Sequence, residues 1–153
     1  MLDQTDRKLL ELLQRNSRAT SLELGEALHL SPSQAGRRRQ RLEAEGYILG
    51  EAARVDPEKL GLGVQAFVQV TMAAHTNETA KAFLRLVEMQ PEITSMWTLT
   101  GDADYLLRVY CRSLNDLNEL VHEILLPHPS VARLQSQIVM NQIKPDSPLP
   151  VIG

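Results

Sequence analysis

Four arginines lie within positions 37–41 and form the densest positive charge of the sequence. They follow a helix-start signal, in which Ser31 suits the N-cap, Pro32 the first helical position and Gln34 the far side of a capping box. Arginine pairs with guanine and glutamine with adenine at about 1–3 kcal/mol per bidentate pair, and arginine also binds phosphates. The pattern predicts a capped helix that enters the major groove of double-stranded DNA.

Helical spacing divides this helix into two faces. Ala35 and Leu42 predict the face that packs on the rest of the domain. Arg39 falls on that packed face, so it must extend its head group to solvent or mark a rotated helix, and Gly36 costs about 1 kcal/mol relative to alanine. A merely solvated charged face is the alternative interpretation. The expected DNA contacts are the outward residues Ser33, Gln34, Arg37, Arg38 and Arg41.

A second polar cluster is the segment Gly101-Asp102-Ala103-Asp104-Tyr105. The carboxylates of Asp102 and Asp104 suit an ammonium group, and the N–H groups of the turn suit a carboxylate. A free amino acid presents both groups. An ordinary hairpin is the alternative, because Gly and Asp are favoured in turns for backbone reasons.

The sequence offers little for catalysis. Its four histidines, at positions 29, 75, 122 and 128, have no metal-ligand spacing, and Cys111 is the only cysteine. No nucleophile or phosphate-binding loop accompanies the carboxylates of the turn. We therefore predict a protein that is not an enzyme and needs no cofactor or metal, with Cys111 and Trp97 in the core.

Length and charge favour two small domains in an acidic chain. The chain has 153 residues, 43% of them hydrophobic, and a formal net charge of −3. Residues 1–60 contain ten Lys/Arg and ten Asp/Glu, whereas residues 61–153 contain six and nine. The positive charge is thus a local patch, which argues against indiscriminate nucleic-acid binding. No signal-like N-terminus and no apolar run near ~20 residues is present, so we expect a soluble cytoplasmic protein.

Residues 3–48 predict three short helices. The first covers Leu2–Arg15, the second is capped by Thr20 or Ser21, and the third stops at Gly46. Because the last two helices are joined by a tight turn, they form a helix-turn-helix.

A short extended strand is predicted at Tyr47–Val55, and a linker at Asp56–Gly63, where Pro and Gly interrupt the pattern. We assign residues 1–50 to a helix-turn-helix DNA-binding domain and residues 51–63 to the strand and linker.

Residues 64–143 predict the order β-α-β-β-α-β, the ferredoxin-like split unit, so the fold class is α+β. The predicted elements are a strand from Val64, a helix capped by Asn77, strands at Ile93–Thr100 and Tyr105–Cys111, a helix capped by Ser113, and a strand at Val131–Ile143. A flexible tail follows at residues 144–153.

The predicted sheet has apolar residues on both faces. Phe67, Met96 and Leu106 are out of phase with the residues expected to face the helices. An exposed apolar face favours a partner, so we expect homodimers.

Together these motifs resemble the Lrp/AsnC, or feast/famine, family of transcription regulators. The resemblance covers about residues 2–143 and implies an N-terminal winged helix-turn-helix, a C-terminal domain for the regulation of amino-acid metabolism, and homodimers that often form octamers. Its motifs occur in order: Leu2-Asp3-x-x-Asp6-Arg7-x-Leu9-Leu10, Leu30-Ser31-Pro32-Ser33, Arg41-Leu42-Glu43-x-x-Gly46-Tyr47-Ile48 and Gly101-Asp102-Ala103-Asp104-Tyr105.

The resemblance also implies an effector site between dimers, near the Gly-Asp-x-Asp-Tyr turn, which usually binds an amino acid. Ser136 and Gln137 would complete the site from a neighbouring chain. The implied function is sequence-specific transcription regulation in response to a small effector. Carried over, the residues at the turn are Thr100, Gly101, Asp102, Asp104 and Tyr105.

Two other functions remain compatible with the residues. A siroheme-type decarboxylase resembles the same two-domain fold, but it would need basic and histidine groups around a large pocket. A metabolite-binding adaptor that has lost DNA binding is the other alternative, and it stays open because Gly36 and Arg39 depart from the pattern of many relatives.

Overall fold

The computed structural model describes residues 1–152 and divides the chain into two compact units. The helical unit comprises Met1–Arg54 together with the chain from Ile143 onward. The sheet unit comprises Val55–Gln142. The helical unit is therefore built from two segments that are distant in sequence.

Three helices form the helical unit: α1 (Gln4–Arg15), α2 (Ser21–Leu28) and α3 (Pro32–Ala44). Thr20 is the N-cap of α2, and its hydroxyl accepts the N–H of Glu23. These elements confirm the predicted helix-turn-helix. Its small core consists of Leu9, Leu13, Ala19, Leu24, Ala35 and Leu42.

The predicted strand at Tyr47–Val55 is wrong, because the described residues contain no strand between α3 and residue 64. All four strands lie in the sheet unit, so an extended segment of the helical unit has no neighbour with which to form a ladder. The wing that the resemblance implies is therefore a loop in this chain.

The tail, which the sequence predicts to be flexible, has a defined position against α1. The Leu149 N–H donates to Gln14 Oε1 at 2.6 Å, and Gln14 Nε2 donates to the Leu149 carbonyl at 3.0 Å. The Leu149 side chain remains 75% exposed. A carboxamide clamp on the backbone, rather than apolar burial, thus fixes the tail at this point.

The sheet unit has the predicted β-α-β-β-α-β order and an antiparallel sheet with strand order β2-β3-β1-β4. A π-helix at Leu120–Leu125 continues α5. The elements are β1 (Val64–Met72), α4 (Asn77–Glu88), β2 (Ile93–Thr98), β3 (Tyr105–Cys111), α5 (Leu114–Glu119) and β4 (Val131–Ile138). The ferredoxin-like fold is confirmed.

Element ends differ from the predictions where short polar residues compete for them. The N-cap of α4 is Thr76 rather than Asn77, because the Thr76 hydroxyl accepts the N–H of Thr79 at 3.2 Å. Strands β2 and β4 end before the predicted Thr100 and Ile143.

The inner face of the sheet packs on the helices, and its outer face is open. Alternating residues of β1 and β3, among them Val68 and Leu107, are fully buried. Met96 packs on this core because a bulge in β2 shifts the register by one residue, so its expected outward position is wrong.

Trp97 lies opposite Leu106 on the outer face and is 43% exposed, so its predicted core position is also wrong. Cys111 is buried, as predicted. No helix among the described residues is long and apolar enough to cross a membrane.

Candidate nucleic-acid interface and ligand site

Helix α3 begins with the predicted capping box. The Ser31 hydroxyl accepts the N–H of Gln34 at 3.2 Å, and Gln34 Oε1 accepts the N–H of Ser31 at 3.0 Å. The Ser33 hydroxyl lies 3.2 Å from that of Ser31. Pairing with adenine uses both the oxygen and the nitrogen of a glutamine amide. Gln34 must therefore open or share its capping bond to read that base.

Two glycines allow α2 and α3 to approach closely. A Cβ on Gly25 would lie 2.7 Å from the Leu30 carbonyl oxygen, so only glycine fits at this point of the turn. A Cβ on Gly36 would lie 3.1 Å from the Ser21 hydroxyl. The glycine that looked costly inside α3 thus lies directly against the start of α2.

The arginine cluster divides into residues with different partners. Arg37 is exposed, and its Nε donates to the Ser33 carbonyl of its own helix at 3.3 Å. Arg38 and Arg41 reach across to α1 and bind Asp6. Among the arginines of the predicted contact set, Arg37 is therefore the one that pairs with no carboxylate in the described part of the chain.

Asp6 is the buried centre of this arrangement, with a side chain only 1% exposed. Its Oδ1 accepts from Arg38 at 2.8 Å, and its Oδ2 accepts from Arg41 at 2.5 Å and from the N–H of Asp3 at 3.2 Å. Burial alone would raise the pKa of Asp6, but the bonds from the two guanidiniums outweigh it and hold the pKa below its ordinary value. Asp6 is therefore charged and paired.

Asp3 joins the same network from the N-cap of α1. Its Oδ1 accepts the N–H of Asp6 at 2.7 Å, and its Oδ2 accepts from Arg38 at 2.6 Å. The backbone bond from Asp6 and then the bond from Arg38 lower the pKa of Asp3. The capping box of α1 is thus also the docking point of α3.

Arg39, which the sequence placed on the packed face, has a side chain that is 23% exposed and is held by groups of its own unit. Its guanidinium pairs with Glu43 at 2.9 Å and also with Glu51. It also donates to the carbonyls of Ser17 and Ala19, both at 3.4 Å. The bond to Glu43 is the largest cause of the raised pKa of Arg39. Glu43 and Glu51 of the same unit neutralise the charge of Arg39.

An open polar cavity of about 360 Å³ lies beside α3. Arg38 and Arg41 approach it while tethered to Asp6, so their guanidiniums are already oriented. Each guanidinium has five N–H donors, of which the bonds to aspartate use only some. The cavity is lined by Asp3, Leu30, Gln34, Arg37, Arg38 and Arg41.

In the sheet unit, the second predicted site is a loop between β2 and β3. Thr100, Gly101 and Asp102 are exposed, and Gly101 has a φ of +102°, which favours glycine. Tyr105 is half-buried and stacks on Phe83 with ring centroids 5.7 Å apart. The turn is therefore rigid at its Tyr105 end and open at its tip.

Asp104 is already occupied by the protein's own groups. Its Oδ2 accepts the N–H of Met72 at 2.7 Å, and its Oδ1 lies 2.9 Å from His75 Nε2. The bond from Met72, and then that to His75, lower the pKa of Asp104. Asp104 thus fastens the turn to the end of β1, and sequence reasoning missed His75 because it lies on the loop after β1, far from the motif.

Ser136 and Gln137 do not join the turn within one chain. Tyr105 of β3 lies opposite Val70 of β1, whereas Ser136 of β4 lies opposite Val68. Strand β1 therefore separates them, a distance of about 10 Å across two strand spacings. Since neighbouring residues of a strand point to opposite faces, Ser136 and Gln137 also face different sides of the sheet.

A small cavity of about 200 Å³ lies beside the turn, between Tyr105 and the start of α4. Its lining includes His75, Thr76, Asn77 and Thr79. The described residues contain no cluster of three His, Cys, Asp or Glu side chains that could hold a metal ion.

Comparison with known proteins accounts for both units. An AsnC-type helix-turn-helix domain matches residues 2–43, and an Lrp/AsnC ligand-binding domain matches residues 65–149. The chain belongs to the Lrp/AsnC family. The chain is 36% identical to the DNA-binding transcriptional activator DecR of Escherichia coli over 99% of each protein. It is 34% identical to the glutamate uptake regulatory protein of Zymomonas mobilis, over 98% of the chain and 91% of the relative.

A solved structure agrees over the full length. A transcriptional regulator of Neisseria meningitidis in complex with L-Met matches with a TM-score of 0.93 and 38% identity, covering 99% of this chain and 97% of that one. The resemblance predicted from the motifs is thereby confirmed. Like its Lrp/AsnC relatives, the chain is a DNA-binding transcription regulator with a ligand-binding domain.

Proposed function

We propose that α3 of this Lrp/AsnC regulator binds the major groove through Arg37, Arg38 and Arg41, with Ser33 and Gln34 at its first turn. The supporting observation is the open cavity that Gln34 and the three arginines line together. Because Asp6 already holds the side chains of Arg38 and Arg41, their donors are oriented before DNA binds. These side chains therefore lose little further conformational entropy on binding.

Arg37 gives the sharpest test because it makes no ion pair with the residues that the structure describes, so none is lost with it. Arg37→Ala should weaken DNA binding and lower the magnitude of the salt slope by about 0.9, the share of one phosphate contact. Fluorescence anisotropy on the best duplex from a random-sequence selection, at several salt concentrations, measures both. Arg85→Ala, an exposed arginine of α4, is the matched control. Equal slopes for both variants and the parent protein would exclude Arg37 from the contact set.

We propose that the effector is a free amino acid bound at the Gly101–Tyr105 turn. Asp102 is exposed at the tip, whereas both oxygens of Asp104 are engaged. Asp102 is therefore the carboxylate available to an ammonium group, and Asp104 holds the turn in place. Because the Neisseria relative was solved with L-Met, methionine is the first candidate.

A panel of the twenty amino acids, read by the shift in melting temperature, tests the effector. Asp102→Asn should reduce the shift given by the active amino acid, whereas Asp146→Asn in the tail should leave it unchanged. A full shift with Asp102→Asn would remove that carboxylate from the site.

The outer face of the sheet is the proposed dimer surface. Phe67 and Leu106 lie on it, and the Arg108 guanidinium lies 5.9 Å from the ring centres of both Trp97 and Tyr110. Apolar and aromatic residues flanking one arginine suit a protein interface. Trp97 is the only tryptophan, so its fluorescence should change as dimers dissociate on dilution.

Dimers would present two recognition helices to a pseudo-palindromic site. We further propose assembly into octamers, a cytoplasmic location where DNA is accessible, and no enzymatic activity, in keeping with relatives named as transcription regulators. Light scattering coupled to size exclusion measures the assembly, and a mass below that of eight chains with and without effector would refute the octamer.

A further inference from the structure

Ion pairs within the helical unit neutralise most of the positive charge of the recognition helix, and Asp6 is the centre of one group of them. Arg38 and Arg41 share Asp6, and Arg38 also binds Asp3. Arg39 is neutralised by Glu43 and Glu51. Within the described residues, three of the four arginines are therefore paired with carboxylates in the DNA-free protein.

Asp6 also fixes geometry. It is fully buried on α1, and it receives one bond from each of two arginines that are nearly one helical turn apart on α3. A carboxylate that accepts from two guanidiniums restricts the rotamers of both. Arg38 and Arg41 are therefore already held in defined rotamers before they contact DNA, whereas unpaired side chains would sample many.

These two effects act differently on correct and incorrect DNA. Attraction for arbitrary DNA depends on net charge and on freely moving cations that follow the phosphates. Recognition of a sequence depends on donors placed at base edges. The buried carboxylate of Asp6 behind the arginines therefore lowers the affinity for arbitrary DNA and preserves the recognition of a specific sequence.

We propose that Asp6 is a positioning residue that sets DNA selectivity: it holds Arg38 and Arg41 in register and suppresses their attraction to non-cognate DNA. The proposal rests on the contact set proposed above. In this proposal Asp6, which lies on α1 and does not contact DNA, controls the ratio of specific to nonspecific affinity.

The test substitutes Asp6→Asn in the full chain, which keeps the shape and removes the charge. Glu11→Gln, on an exposed position of the same helix, is the matched control for charge alone. Binding is measured to the best duplex from a random-sequence selection with the parent protein, and to an unrelated duplex of equal length and composition, at several salt concentrations.

We expect Asp6→Asn to bind the unrelated duplex more tightly and with a salt slope steeper by about 0.9 for each arginine released to phosphate. The ratio of specific to nonspecific affinity should fall about tenfold, within the range that one misplaced base contact represents. Glu11→Gln should leave that ratio unchanged. Equal changes on both duplexes, or an equal loss of selectivity in Glu11→Gln, would overturn the proposal.

A second variant protects the test against loss of folding. Asp3 is exposed, and Asn serves equally well as an N-cap, so Asp3→Asn keeps α1 while releasing one partner of Arg38. It should shift selectivity in the same direction by a smaller factor, and unchanged selectivity would count against the proposal. If Arg37→Ala lowers the salt slope while neither aspartate variant alters selectivity, the proposed DNA contact of α3 stands and the role of Asp6 fails.

Discussion

The paired substitutions Gly25→Ala and Gly36→Ala should change the stability of the helical unit in opposite directions. Both glycines are helical, so alanine gains about 1 kcal/mol of helix propensity at either site. The difference lies in what the new methyl group meets. At Gly25 it meets backbone, and at Gly36 it meets the end of an exposed serine side chain.

At Gly25 the new Cβ would lie 2.7 Å from the Leu30 carbonyl oxygen and 3.3 Å from the backbone nitrogen of Pro32. Overpacking against atoms that cannot rotate away costs about 1–3 kcal/mol. The bond from the Leu30 N–H to the Gly25 carbonyl, 2.9 Å long, closes the same turn, and its loss would cost about 1 kcal/mol more. After the gain in propensity of about 1 kcal/mol, we expect a net destabilisation of about 1–3 kcal/mol.

At Gly36 the new Cβ would lie 3.1 Å from the Ser21 hydroxyl and 3.8 Å from the Ser21 Cβ, and the second distance is ordinary van der Waals contact. Ser21 is exposed, so its side chain can change rotamer. We expect most of the helix-propensity gain to remain, a stabilisation of about 0.5–1 kcal/mol. Gly36 thus reflects a close but adjustable contact, whereas Gly25 is required by the geometry of the turn.

Amide hydrogen exchange across α2 and α3 measures both changes in the full chain, because it reports the opening free energy of each helix. Urea unfolding gives an independent value. An unchanged free energy of opening in Gly25→Ala, or a loss as large in Gly36→Ala, would refute this account of the turn.

Three further outcomes follow from single contacts. Gln14→Leu, which removes both bonds to the tail, should speed proteolysis of the tail several-fold, whereas Gln4→Leu on the same helix should not; equal rates would contradict a docked tail. Asp104→Asn should lower the free energy of unfolding of the sheet unit by about 1.5 kcal/mol, because the Met72 N–H would no longer donate to a charged oxygen. Urea unfolding measures this change, and an unchanged free energy would show that the charge on Asp104 contributes nothing. Since the folded-state pKa of Asp6 lies below its ordinary 3.8, its stabilisation is present above that pH and is lost as the pH falls through the folded value; the free energy of unfolding of the helical unit should therefore fall on acid titration, and Asp6→Asn should make that fall shallower.

Local signals predicted most of the fold. Ser31, Pro32 and Gln34 fixed the start of α3 because capping depends on residues only three positions apart. The alternation in β1 predicted its buried face, since the side-chain period of a strand is two. Met96 and Trp97 were misplaced because a bulge in β2 shifts that period by one residue, and no local pattern marks it.

The candidate sites were predicted only as far as sequence distance allows. The arginine cluster identified α3 from the sequence. Which of its arginines are paired with a carboxylate depends on Asp6, more than thirty positions away along the chain. The Gly-Asp-x-Asp-Tyr motif identified the turn, yet the role of Asp104 depends on Met72 and His75 at the end of another strand. Partners of this kind are set by tertiary packing, which periodicity does not report.

The two-segment construction of the helical unit bears on how an effector can act. A ligand shifts an equilibrium only by its differential affinity for two states, so both sites must bias a shared element. The chain leaves β4, where Ser136 and Gln137 lie, and continues without interruption to Leu149, which Gln14 holds on α1. The chain thus passes between the two units at both ends of the sheet unit, and the Gln14 bonds hold the segment after the second passage on α1. Releasing them in Gln14→Leu should therefore weaken the effect of the effector on DNA affinity while leaving the effector's melting shift intact, and an undiminished effect on DNA would exclude the tail from the coupling.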